Sequence, residues 1–145
     1  MTKMPPAAIA CAVLAAACGH GSGSGLTGRE VARLRWIEGT WRGTGDVDAP
    51  FYERYRFEND STLVEHGLDS TLTVMQDTSR FELTNGRFGN ARWRATVLAA
   101  DSVVFAREGT AGQSFRWRRD GADAWTAVIV SPAGQHTYHM ERWQR

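Results

Sequence analysis

From Gly39 to the end of the chain, apolar and polar residues alternate in short runs cut by turn-forming residues: Asn59-Asp60, Asp77-Thr78, Asn85-Gly86, Asp101, Gly109 to Gly112, Asp120-Gly121 and Pro132 to Gly134. A period of two is the period of a β-strand with one face buried. The runs predict strands at about 40–45, 51–58, 61–68, 71–76, 79–84, 91–98, 102–107, 113–119, 124–130 and 136–143. No helix of crossover length separates them, so neighbours should pair as antiparallel hairpins. Ahead of them, Thr27-Gly28-Arg29-Glu30 has the pattern of a capping box, and Val31, Leu34 and Ile37 recur at three-residue steps. The expected fold is all-β: an up-and-down antiparallel β-barrel of 8–10 short strands, preceded by one short N-terminal helix over about residues 28–37. Closure into a barrel removes the sheet edges that would otherwise template aggregation.

Strict alternation also sorts the faces. Trp93, with Ala91, Ala95 and Val97, is expected inside, opposite Arg92, Arg94 and Thr96; Phe115 and Trp117 are expected inside, opposite Arg116 and Arg118. Phe51, Glu53, Tyr55 and Phe57 share a face, which carries Glu53 inward among aromatics. On the next strand Val64, His66 and Leu68 form the apolar face, and on the last His136, Tyr138, Met140 and Arg142 lie together.

Charge narrows the partners. The chain of 145 residues carries Lys+Arg 17 against Asp+Glu 16, with the arginines spread from Arg29 to Arg145. Without a basic block or stripe, nucleic acid is not an expected partner. Cysteine usage separates the domain from its leader, because Cys11 and Cys18 both fall in the first eighteen residues. The rest therefore has no thiol for a disulfide, a thiolate metal site or a nucleophile. Residues 1–18 combine one cation, Lys3, with an apolar run from Ala7 to Ala17, the layout of a secretory signal. That run is too short to span a bilayer as a helix. Leu14-Ala15-Ala16-Ala17-Cys18 resembles the end of a bacterial lipoprotein signal, which implies lipidation of Cys18, a membrane partner through the lipid anchor, and an outer-membrane lipoprotein facing periplasm or exterior. Plain cleavage after Ala17, releasing a soluble periplasmic or secreted protein, is the alternative. Residues 19–25 read as a Gly/Ser tether and 26–145 as the barrel domain.

Gly39-Thr40-Trp41, following a short helix and entering the first strand, resembles the Gly-x-Trp signature of the calycin superfamily: lipocalins, fatty-acid-binding proteins and nitrobindins. The run from Leu34 to Trp41, Leu-x-Trp-x-x-Gly-Thr-Trp, is similar to the opening of uncharacterised bacterial exported domains and of nitrobindin-type domains. The resemblance implies that Trp41 closes one barrel end beneath a stacked arginine of the last strand, Arg142, with Arg145 as second choice. It implies interior ligand binding, and from the nitrobindin side haem, with His136 as the axial ligand.

The residues and the resemblance together leave three readings open. The first is a barrel holding a small hydrophobic or amphipathic molecule among Glu53, Tyr55, His66, Trp93, Phe115, Trp117, His136 and Tyr138, with no cofactor. The second is the haem protein. The third is a packed barrel acting through its outer surface in the cell envelope. Inward arginines, Arg107 or Arg119 beside Tyr55 and Tyr138, could grip a ligand carboxylate, or could pair internally with Glu53. No nucleophile elbow, helical metal-ligand pair or phosphate-binding glycine loop is present, so enzymatic chemistry is not expected.

Overall fold

A computed structural model describes residues 25–46 and 48–144. The leader with Cys18, most of the tether, and Arg145 lie outside the described residues. Gly28–Val31 forms one α-helical turn, α1, which continues directly into a 3-10 helix over Ala32–Ile37. Glu30 folds back to accept the Thr27 amide at 2.8 Å and the Thr27 hydroxyl at 2.9 Å. The helical stretch covers the expected residues, and its tighter winding follows from the three-residue spacing of Val31, Leu34 and Ile37: in a 3-10 helix positions i and i+3 eclipse, so all three fall on one stripe. They are 0–1% exposed.

Ten strands follow: β1 Gly39–Gly45, β2 Phe51–Asn59, β3 Thr62–Leu68, β4 Met75–Thr84 and β5 Arg87–Gly89, then β6 Trp93–Leu98, β7 Ser102–Arg107, β8 Ser114–Arg119, β9 Ala124–Ser131 and β10 Gly134–Arg142. Each pairs antiparallel with the next, and β1 pairs with β10, so the sheet is a closed up-and-down barrel.

Two boundaries differ from expectation. Strands at 71–76 and 79–84 with a turn at Asp77-Thr78 are replaced by the single strand β4. The turn lies earlier because Asp69 Oδ1 accepts from the Thr71 amide at 3.1 Å and the Thr71 hydroxyl at 2.7 Å, while the Asp69 amide donates to the Val74 carbonyl at 3.1 Å. An aspartate that bonds its own following backbone makes a turn, and this one outcompetes the Asp77 signal. The second difference is β5, a short strand absent from the reading. It is followed by Asn90, whose Oδ1 accepts the Arg92 and Trp93 amides at 2.9 Å, so the expected 91–98 strand begins at Trp93.

Two faces are also corrected. Val97 is 54% exposed and Leu98 packs on the core instead, because a bulge between Ala95 and Val97 shifts the register against β7 and reverses the alternation. On β3, Leu63 and Glu65 face in while His66 faces out. Glu65 lies directly opposite Tyr55, and His66 opposite Arg54 and Thr78. Directly paired residues share a face, so the inward Tyr55 fixes the phase of its neighbour.

The barrel has a closed and an open end. At the closed end α1 and the 3-10 helix plug the interior, packing Val31, Leu34 and Ile37 with Trp41, Trp125 and Met140. The opposite end carries the β1–β2, β3–β4, β5–β6, β7–β8 and β9–β10 connections. The core leans to one side, where Phe81, Phe88, Phe105, Phe115 and Trp117 interlock with ring centroids 4.6–6.4 Å apart.

Candidate functional site

The run Gly39-Thr40-Trp41-Arg42-Gly43-Thr44-Gly45 puts Trp41 and three glycines on the inward face of β1. Each glycine leaves room for a larger group. The Arg142 guanidinium occupies the place of a side chain at Gly39, whose φ of +133° also favours glycine. The Phe51 ring lies over Gly43 and the Tyr138 ring over Gly45. Phe51 and Tyr138 then meet edge to face at 5.4 Å. The strand that carries the signature thus supplies floor space, and its neighbours supply the aromatic surface.

Trp41 and Arg142 occupy the places expected of them. The Arg142 guanidinium carbon stands 4.2 Å from the centroid of the Trp41 ring. The Trp41 indole donates to the Ile37 carbonyl at 2.6 Å, which ties the plug to the barrel.

Above this closed end a cavity of about 970 Å³ reaches the open end of the barrel. Its floor is Trp125 and Met140, each 1% exposed. One wall is aromatic: Tyr55, Phe81, Trp93, Phe115 and Trp117. Ala127 and Ile129 line it from β9, and Asp48, Phe51 and Tyr138 stand at the opening. Tyr138 donates to Asp48 at 2.7 Å, which raises the phenol's pKa.

The polar groups inside include two carboxyls, Glu53 and Glu65. Tyr55 donates to Glu53 Oε2 at 2.7 Å, and Glu65 stands across from Tyr55 on β3. Burial, followed by the charge of Glu53, pushes Glu65 up to about 7. Ser79 hydrogen-bonds Glu65 and opposes that rise, whereas Asp77 adds to it. Glu53 is raised too, chiefly by burial, with the Tyr55 bond pulling the other way. Burial next to both glutamates lifts the Tyr55 phenol well above its ordinary range. Asp77 occupies the space of the missing side chain at Gly67, the residue opposite Glu53.

The structure brings together Glu53, Tyr55, Trp93, Phe115, Trp117 and Tyr138 from the expected set. It does not bring in the histidines. His66 sits on the outer face, with Nδ1 3.0 Å from the Thr78 hydroxyl. His136 keeps the inward phase but lies exposed at the end of β10, beside a smaller pocket with Asp46 and Asp48. Among the described residues no histidine lines the large cavity. The arginines proposed to grip a carboxylate also turn away: Arg107 bonds Gln113 at 2.7 Å and Arg119 the Gly121 carbonyl at 3.0 Å. Internal pairing of Glu53 with an arginine is likewise replaced, since its partner is Tyr55 and no described cation lies within 4.0 Å of it. Glu65, Phe81, Trp125 and Met140 were missed. For Trp125 a signal existed, because Trp125, Ala127 and Ile129 alternate with Thr126 and Val128.

No family model and no curated protein matches this chain. Among solved structures it is similar to a redesigned β-barrel, with a TM-score of 0.43 and 12% identity over 79% of this chain and 96% of the other. A barrel bound to the small molecule DFHBI gives a TM-score of 0.37 and 14% identity, over 79% of this chain and 99% of that one.

Proposed function

We propose that this chain is a binding protein that holds a small, largely apolar molecule in the open half of its barrel. The observation that carries the reading is the cavity of about 970 Å³, floored by Trp125 and walled by aromatic rings. Its size falls in the range of small-molecule sites, which combine apolar walls with a few placed polar groups. The packed-barrel alternative describes only the closed half. A haem would find no described histidine on the cavity wall, so nothing in the geometry favours that reading.

Export, and anchoring through a lipidated Cys18, complete the proposal from the leader sequence, with the cell envelope as the site of action. Tryptophan fluorescence tests the binding itself, since Trp93, Trp117 and Trp125 line the cavity. A neutral naphthalene probe should quench it saturably, and Ala127→Phe, which adds a ring to the wall, should abolish the response. Quenching that never saturates, or that Ala127→Phe leaves untouched, would place the probe elsewhere and defeat the proposal.

A further inference from the structure

The cavity contains acids without a counter-ion. Glu53 comes from β2 and Glu65 from β3, both on the aromatic-walled side. Buried carboxylates cost several kcal/mol unless a cation or sufficient hydrogen bonds compensate them. The chain has sixteen arginines, yet among the described residues none pairs with Glu53 or Glu65. Arg80, whose residue borders the cavity, bonds Glu82 at 2.7 Å and Glu58 at 2.8 Å on the outer face. Arg92 borders the cavity from the β5–β6 connection and is exposed. The remaining charged lining residue, Asp48, is a third acid. A further group also lacks a partner: Trp125 is 1% exposed, lines the floor, and its buried indole N–H meets no acceptor among the described residues.

We infer that the ligand is an organic cation: an ammonium or amidinium on an apolar or aromatic body, with the charge seated at Glu53 and Glu65 and the body against Tyr55, Trp93, Phe115 and Trp117. Rings beside carboxylates suit such a group twice over, because aromatic faces attract a desolvated cation and the carboxylates accept its N–H donors. A fatty-acid carboxylate, by contrast, would bring a third negative charge to the glutamates. This inference rests on the cavity-binding reading and specifies its ligand.

Protonation gives the site a second signature. The groups facing Glu65 are Tyr55 and Glu53 from β2 and Ser79 and Asp77 from β4, none of them cationic. Glu65 titrates near 7, so a cation must displace its proton below that pH.

The test uses three isosteric probes in calorimetry at pH 8: 1-naphthylmethylamine, 1-naphthalenemethanol and 1-naphthoate. The amine should bind about tenfold or more tighter than the alcohol, a gap of ~1.4 kcal/mol, with the carboxylate weakest. Amine binding should tighten from pH 6 to pH 8 with net proton release, while alcohol binding stays level. Glu53→Gln and Glu65→Gln should each lower the amine towards the alcohol and leave the alcohol within about twofold. Both variants remove buried charge and should melt no lower than the parent. If alcohol or carboxylate binds as tightly as the amine, or if the amine preference survives both substitutions, the cation assignment is overturned and the cavity reading stands. If none of the three binds, both fall.

Discussion

The guanidinium of Arg142 lies 4.2 Å over the ring of Trp41, and the two residues face each other in the register of β10 and β1. The same guanidinium donates to Asp123 and to the Glu38 carbonyl, each at 2.9 Å, and to the Ala122 carbonyl at 3.3 Å. One side chain therefore joins the helical plug, the last strand and the β8–β9 turn. Removing it as Arg142→Ala should cost about 2–4 kcal/mol, from a partly desolvated cation–π contact and the orphaned carbonyls. Arg142→Lys should recover less than half, because an ammonium cannot bond three directions as the planar fork does. Urea unfolding midpoints would check both, and an unchanged midpoint for Arg142→Ala would refute the clamp.

Glu65 makes stability depend on pH in an unusual direction. Its carboxyl holds a proton more tightly folded, near 7, than at its ordinary value of 4.5. The associated stability is present below the ordinary value and is lost as pH rises through 7. Glu53 is shifted the same way. Between about pH 5 and pH 8 the ligand-free protein should lose ~2–3 kcal/mol, and Glu65→Gln should flatten most of that slope. Glu30 and Asp69 are shifted down by their hydrogen bonds and act oppositely, at lower pH. Thermal melts across this window would decide, and stability that climbs from pH 5 to pH 8 would count against a buried acidic pair.

Gly43 has no space for a methyl group while Phe51 lies over it. Gly43→Ala should cost about 1–3 kcal/mol by forcing the ring aside. Phe51→Ala in the same chain should relieve that penalty, so the two effects will not add. A double-mutant cycle with independent, additive costs would show that Phe51 does not need the vacancy.

Trp117 and Trp93 should separate stability from binding. Trp117 is 6% exposed and meets Tyr55, Phe81, Phe105, Phe115 and Trp125, so Trp117→Ala should cost ~3–5 kcal/mol. Trp93 is only partly buried, and among the described aromatic rings its own pairs with Phe115, at 4.9 Å. Trp93→Ala should cost about 1–2 kcal/mol, with its larger effect on probe affinity. Equal destabilisation by the two would indicate that the cavity wall is ordinary core.

How much of this was legible in the sequence depended on how cleanly each run alternates. Phe51-Tyr52-Glu53-Arg54-Tyr55-Arg56-Phe57 has one apolar face, and it carried Glu53 inward correctly. Thr62-Leu63-Val64-Glu65-His66-Gly67-Leu68 has apolar residues on both faces: Leu63 is 0% exposed on the inner one, and Val64 and Leu68 are 4% exposed on the outer. Val64 lies between Arg56 and Arg80 in the register, where arginine stems can cover an apolar neighbour. Alternation alone could not choose the phase, and the choice of His66 over Glu65 hid half of the acidic pair. Asp77 read as a turn because the glycine that accommodates it, Gly67, is ten residues away in sequence and adjacent only across strands. The closed barrel, the short leading helix and the Trp41–Arg142 contact needed only local pattern or the Gly-x-Trp motif, and these came through.

The most direct test of the binding reading is a native mass spectrum of the protein purified without added ligand, before and after soaking with organic amines and with fatty acids. The account predicts a discrete added mass, either carried through purification or acquired from the amines, that Ala127→Phe removes. Bare protein under every condition would contradict it and leave a barrel whose cavity holds only water.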